Sequence, residues 1–217
     1  MKRTFGLLAL LVALAGCHGG LFRGKADGSG KSKLERRSRS GFTAVNISGA
    51  FEVEIVAQAE PGLELEGDDN LLQIVRTEVK NGVLEVYNEK PYSTREAIRV
   101  RISVPQLDAV STSGASDIVV SNVKSDDFNI STSGAGSLTI SGAAKTLAVE
   151  MSGAGEVDAK DLRSEKVTVN SSGAADATVY ASEDLTVSAS GAGTVNYYGD
   201  PKNVSENVSG GASLSRK

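Results

Sequence analysis

Paired carboxylates are the chemistry this sequence can most readily assemble, and Glu156 and Asp176 are the pair its spacing brings together. Each stands four residues after the serine of a Ser-Gly-Ala triplet, as do Asp117, Ser137 and Thr194 after theirs. If the triplets stack, Glu156 and Asp176 project side by side from adjacent turns of the chain, close enough to share a calcium ion. Calcium wants about six to eight oxygens, and this column supplies two acids flanked by two hydroxyls, so solvated surface is the stronger reading. Enzymatic work on polysaccharides needs clustered carboxylates with Lys or Arg, for which Asp117, Glu156, Asp176, Lys124 and Arg163 are the candidates. The lone histidine, His18, falls near the N-terminus, away from all of them, so Ser-His-Asp catalysis and His-ligated metals are excluded. Neither a GxxxxGK[ST] loop nor a strand-to-helix GxGxxG is present to cradle a phosphate. No cofactor and no catalytic residue is expected.

The first residues have a different purpose. Lys2 and Arg3 precede an apolar run from Phe5 to Leu14, followed by Leu14-Ala15-Gly16-Cys17. A basic start and a short apolar stretch make an export signal. The last four residues resemble a bacterial lipobox, which implies cleavage after Gly16 and acylation of Cys17. Acyl chains on Cys17 would anchor the protein to a membrane without crossing it. By resemblance to lipoprotein sorting, His18 in the next position favours the outer membrane over inner-membrane retention. Residues 17–41 then read as a flexible tether rich in Gly, Ser, Lys and Arg, with seven basic side chains against two acidic ones. Beyond Gly41 the balance reverses to 14 basic against 25 acidic residues, which argues against nucleic acid as a partner.

What must position the candidate acids is a repeat. The serines of the triplets, Ser113, Ser133, Ser152, Ser172, Ser190 and the variant Ser209, are 20, 19, 20, 18 and 19 residues apart, a solenoid period. Three residues before each origin stand Val110, Ile130, Val149, Val169 and Val187, and five after stand Ile118, Leu138, Val157, Ala177, Val195 and Leu214. These are inward columns of alternating strands on either side of a bend. Coils of about 19 residues leave no room for a crossover helix, and one coil cannot bury its own apolar face, so parallel coils must stack. At the bend, Gly114, Gly134, Gly153, Gly173, Gly191 and Gly210 supply backbone freedom or close approach. The alanines that follow are expected inside the corner, and the serines in a hydrogen-bonding column.

Residues 42–106 alternate less regularly and read as a strand meander that joins or caps the repeats of 107–217. Asn81-Gly82 signals a hairpin, Leu71 to Val75 a helical turn capped by Asp68, Asp69 or Asn70, and Asn46-Ile47-Ser48-Gly49-Ala50-Phe51 an early copy of the corner. Of Tyr197 and Tyr198, one is expected to pack inward at the end of the stack and the other to face a ligand or shield the edge.

Taken together, NISGAFEVEI, GDDNLLQIVRTEVKNGVLEV, Pro105-Gln106-Leu107, the SGAG series and the closing NYYGDPKNVSENVSGGASL resemble the bacterial "putative auto-transporter adhesin, head GIN domain" family over residues 42–217. The resemblance implies an all-β, right-handed parallel β-helix, exported and surface-associated, with an adhesion role; besides the membrane, a glycan or an envelope protein is the partner to be tested for. It carries over no functional residue. The function expected is therefore that of a non-catalytic, membrane-anchored envelope lipoprotein, with a carbohydrate-active enzyme as the alternative.

Overall fold

The computed structural model describes residues 24–217; Cys17 and His18 lie outside the described residues. In chain order the strands are β1 (Ala26–Asp27), β2 (Ser32–Arg36), β3 (Ala44–Gly49), β4 (Phe51–Ala57) and β5 (Gly62–Asp68), then a single helical turn α1 (Asp69–Leu72). There follow β6 (Val75–Lys80), β7 (Val83–Asn88), β8 (Tyr92–Ser93), β9 (Ile98–Val104) and β10 (Ala109–Gly114). Long strands that wrap around the molecule come next: β11 (Asp117–Gly134), β12 (Ser137–Gly153), β13 (Glu156–Gly173) and β14 (Asp176–Gly191). The chain closes with β15 (Thr194–Tyr198), β16 (Asn203–Gly210) and β17 (Ser213–Arg216).

The result is a β-solenoid of about five turns. Its coils pair in parallel and in register, Ser48 with Ser113, Ser113 with Ser133, Ser152 with Ser172, Ser172 with Ser190 and Ser190 with Ser209. One inward column runs Val45, Val110, Ile130, Val149, Val169, Val187, and another Val53, Ile118, Leu138, Val157, Ala177, Val195; all are buried. Each buried Val, Ile or Leu contributes about 1.5–3 kcal/mol, and stacking like on like lets the ladder and the core form together.

Each coil has a side that the repeat pattern did not reveal. Eight residues always separate the two inward columns across the Gly corner, from Val110 to Ile118 through Val187 to Val195. The return path, from Ile118 to Ile130 and onward to that from Ala177 to Val187, takes 12, 11, 12 and 10 residues. All the variation in coil length is therefore absorbed there. Register shifts between Val120 and Val123, Thr139 and Ser141, and Ala159 and Ser164 mark the bulges that absorb it, and Asn122 (φ 61°) and Gly142 (φ 139°) turn the chain. Val123, Ala144, Leu162 and Ala181 face inward along this third side.

Residues 42–106 are less of a meander than expected. β3 and β4 form a coil of their own, parallel to β10 and β11, and β7 and β9 form another beneath it, parallel to β3 and β4. Only β2, β5 and β6 run antiparallel. They finish that end of the solenoid, with Leu71 and Leu72 of α1 buried against it. The hairpin at Asn81-Gly82 has positive φ at both residues, 51° and 79°, the geometry a two-residue turn between twisted strands demands. Asp68 stands at the N-cap of α1 without a side-chain capping bond; its Oδ2 instead accepts from the Thr94 hydroxyl at 2.9 Å.

A flexible tether reaching to residue 41 is corrected by the pairing of residues 26–39. β1 pairs with β8, and β2 pairs with β5. The Arg37 guanidinium donates to the carbonyls of Val75 (2.7 Å) and Leu72 (2.8 Å), and Arg39 Nε to that of Thr77 (2.8 Å). Composition misled because the strap buries little apolar surface. It is held by main-chain pairing and by arginines that satisfy carbonyls near α1 and along β6, which no hydrophobic period records.

Candidate functional site

The Ser-Gly-Ala corner is built from backbone. The N–H of each corner alanine donates to the glycine carbonyl of the coil beneath: Ala135 to Gly114, Ala154 to Gly134 and Ala174 to Gly153, at 2.8–2.9 Å. Gly153 adopts φ +133°, and a Cβ there would lie 2.6 Å from the Gly134 carbonyl oxygen. The alanines themselves point outward, a correction: Ala115, Ala135, Ala154, Ala174 and Ala192 are exposed. The inside of the corner belongs to the next residue, Ser116, Gly136, Gly155, Ala175 or Gly193, because side chains alternate about the bend. A Cβ on Gly136 would come within 2.1 Å of the Ser116 carbonyl oxygen, so this coil requires glycine there, whereas Ser116 and Ala175 fill the same place in theirs. Ser116, wholly buried, offsets its polarity by donating to the Gly49 carbonyl and accepting from the Phe51 N–H, both at 3.1 Å.

Outside this corner the first face presents hydroxyls and amides. Ser111, Ser131, Glu150, Asn170, Ser188 and Asn207 form one outward ladder, and the triplet serines form the next. In that column Ser113 bonds Ser48 at 3.0 Å, while Ser133, Ser152, Ser172 and Ser190 face solvent. A shallow depression of about 370 Å³ runs among Ser131, Ser152, Asn170, Ser172 and Ser188.

The acidic column lies beyond the corner, where Glu52, Asp117, Ser137, Glu156 and Asp176 are successive ladder partners. Glu156 and Asp176 are adjacent, as their spacing demands. Asp117 accepts from the Ser137 hydroxyl at 2.6 Å and Asp176 from the Thr194 N–H at 2.7 Å. Among the described residues, no three His, Cys, Asp or Glu side chains gather as a metal site.

Lys124 and Arg163 are brought together, but apart from those acids. Both line a groove of about 810 Å³ on the third side that none of Asp117, Glu156 and Asp176 reaches. Ala143 is the ladder partner of both and separates them by one coil on either side. Arg163 Cζ lies 4.2 Å from the centroid of the Tyr180 ring, a cation–π contact. Lys145 is paired with Asp126 at 2.7 Å, and that carboxylate's hydrogen bond raises its pKa above the ordinary value. Sequence reasoning named Lys124 and Arg163 but missed Tyr180, whose signal was its ladder position beside Tyr198. Tyr197 packs against the core, the inward member expected of the pair, and Tyr198 is exposed.

These features define a class: a β-solenoid presenting long polar faces, with Asp117, Glu156 and Asp176 on a different side from Lys124 and Arg163. The chain belongs to the family described as "Putative auto-transporter adhesin, head GIN domain", whose model matches residues 41–201. The strap lies outside the matched region. Among solved structures it is similar to a "putative adhesin" from Bacteroides fragilis, with TM-score 0.73 and 21% identity over 88% of this chain and 99% of that one. It is also similar to a "putative adhesin" from Parabacteroides distasonis (TM-score 0.58, 19% identity, 89% of this chain and 100% of that one). A "putative lipid binding protein" from the same species gives TM-score 0.54 at 19% identity, over 89% of this chain and 100% of that one. These likenesses show a shared fold. No functionally curated protein matches the chain.

Proposed function

We propose that this protein is a membrane-anchored envelope lipoprotein whose solenoid acts by contact, adhering to a glycan or an envelope protein without turning it over. The observation that carries the reading is the long outward wall of Ser and Asn on the first face, broken in the ladder only by Glu150, which presents area instead of focusing chemistry. Family membership supports an adhesion-like, cell-envelope role. The separation of Asp117, Glu156 and Asp176 from Lys124 and Arg163 breaks up the particular cluster that the polysaccharide-cleaving alternative called for, which weighs towards contact. The lipobox-like Leu14-Ala15-Gly16-Cys17 supports the anchor, and His18 supports an outer-membrane address.

A paired experiment tests it. The purified protein is assayed for retention on immobilised glycans, peptidoglycan and envelope proteins, and the same preparation is incubated with uronate-containing and acetylated polysaccharides while product is followed. Saturable retention without product is the expected result. Chain cleavage or deacetylation would establish the enzyme instead.

A further inference from the structure

The third side carries an unbalanced charge that the rest of the head does not explain. Residues 42–217 hold an excess of acids, 25 against 14 basic residues, yet three cations, Lys124, Lys145 and Arg163, meet in this groove with two carboxylates, Asp126 and Glu165. Lys145 is spent on Asp126. Lys124 and Arg163 have no carboxylate within ion-pair distance among the described residues, and they stand two coils apart, about 9.6 Å along the stack, with only the Ala143 methyl between them. The slot is thus a recess one side chain deep between two unpaired cations. Tyr180 lies against the Arg163 guanidinium, which orients its planar fork and leaves the in-plane N–H groups open to a ligand. Gln58 and Ser182 add polar groups to the wall.

We propose that this groove is the ligand site of the contact reading above, on which the proposal rests, and that it takes a uronate-bearing polysaccharide. One sugar carboxylate is held between Lys124 and Arg163 over Ala143, and the chain lies along Tyr180. The charge count points to a singly charged group: three cations against two carboxylates leave one positive charge, which one carboxylate balances. A sulfate ester carries one charge as well, and the sulfated probe below separates the two. A phosphate monoester overfills the slot. The volume lies within the range of pockets that enclose small ligands, about 300–1,000 Å³.

The test is calorimetric titration of the full chain in detergent with tetragalacturonate, its methyl ester, a sulfated glycosaminoglycan fragment and a sugar phosphate. Tetragalacturonate should bind saturably, the neutral ester at least about tenfold more weakly, the loss of one charge-assisted pair. Lys124→Ala and Arg163→Ala should each weaken binding about tenfold, Arg163→Lys partly restore it, and Ala143→Glu abolish it. All three positions changed are exposed side chains, so melting curves should stay unchanged and report that the fold is intact. Equal binding of acid and ester, preference for the sulfated or phosphorylated probe, or indifference to Ala143→Glu would overturn the proposal. Retention on envelope material that survives Ala143→Glu overturns this groove alone, whereas absence of retention on any envelope material overturns the contact reading itself. Formation of unsaturated uronate would overturn both.

Discussion

At Gly153 the two demands on a corner residue coincide. The positive φ is one that L side chains rarely adopt, and the Cβ position lies 2.6 Å from the Gly134 carbonyl oxygen, which is itself accepting the Ala154 N–H. A side chain there must both strain its own backbone and push aside a bonded carbonyl of the next coil. Gly153→Val should destabilise the protein by about 3 kcal/mol or more, read as a lower midpoint in urea unfolding. A midpoint within error of the parent would show that the corner can relax at no cost. Gly134 reaches the same requirement by one route only: its φ is outside the left-handed range, but its Cβ position is 2.1 Å from the Gly114 carbonyl oxygen. Backbone approach, repeated coil after coil, is therefore the common reason for glycine here, and backbone angle an additional one.

The strap shows how an element can be held by groups that leave no hydrophobic trace. Arg37 bonds two carbonyls, Thr77 Oγ1 and the Glu35 carboxylate, and its side chain is 14% exposed. Arg37→Ala should release the strap, raising amide exchange over β2 and costing about 2 kcal/mol, without disturbing the SGA coils. Unchanged exchange over residues 32–36 would mean that main-chain pairing alone holds it. The Arg37 hydrogen bond holds the Glu35 carboxyl below its ordinary value of 4.5. A depressed carboxylate stabilises the fold fully above that value and progressively less as pH falls through its folded-state pKa, so exchange over β2 should rise on acidification and Glu35→Gln should remove the dependence. The contrast with the SGA coils explains what the sequence could disclose. Where apolar columns and a fixed span of eight residues coincide, as from Val149 to Val157, fold and register are legible. Where coil length varies, as from Val157 to Val169, bulges decide which side chains meet, so Lys124 and Arg163 could be named while their groove and Tyr180 could not. The strap and the parallel pairing of β7 and β9 were hidden for a related reason, since both depend on partners distant in sequence.

On the scale of the whole molecule the two ends of the solenoid are finished differently. The N-terminal end is closed by antiparallel strands and α1. At the other end β16 and β17 pair with β14 and β15; Val204, Val208 and Leu214 end three of the inward columns, while two inward positions finish in charge: Glu206 follows Val187, and Arg216 follows Tyr197 and is tied to Asp200 at 2.8 Å. Inward charge at an open edge discourages apolar stacking of a second molecule, so Glu206→Val with Arg216→Val should promote end-to-end association in sedimentation. A variant that stays at the parent's mass would assign that protection elsewhere.

Anchoring follows from the same view of the chain. Among the described residues pairing begins at Ala26; if Cys17 carries the anchor, the eight residues between them set a reach of at most about 28 Å. The cations nearest the closed end of the solenoid are largely engaged: Arg36 with Glu64, Arg37 with Glu35 and carbonyls, Arg39 with the Thr77 carbonyl. They offer a weak electrostatic substitute for acyl chains, and no helix among the described residues is long and apolar enough to cross a membrane. If Cys17 carries the anchor, Cys17→Ser should move the protein wholly to the soluble fraction at low as well as high salt, with an unchanged melting curve. Retention at low salt that is lost at high salt would assign the anchor to the basic strap, since screening weakens such contacts. Retention at both salts would remove Cys17 as the attachment point.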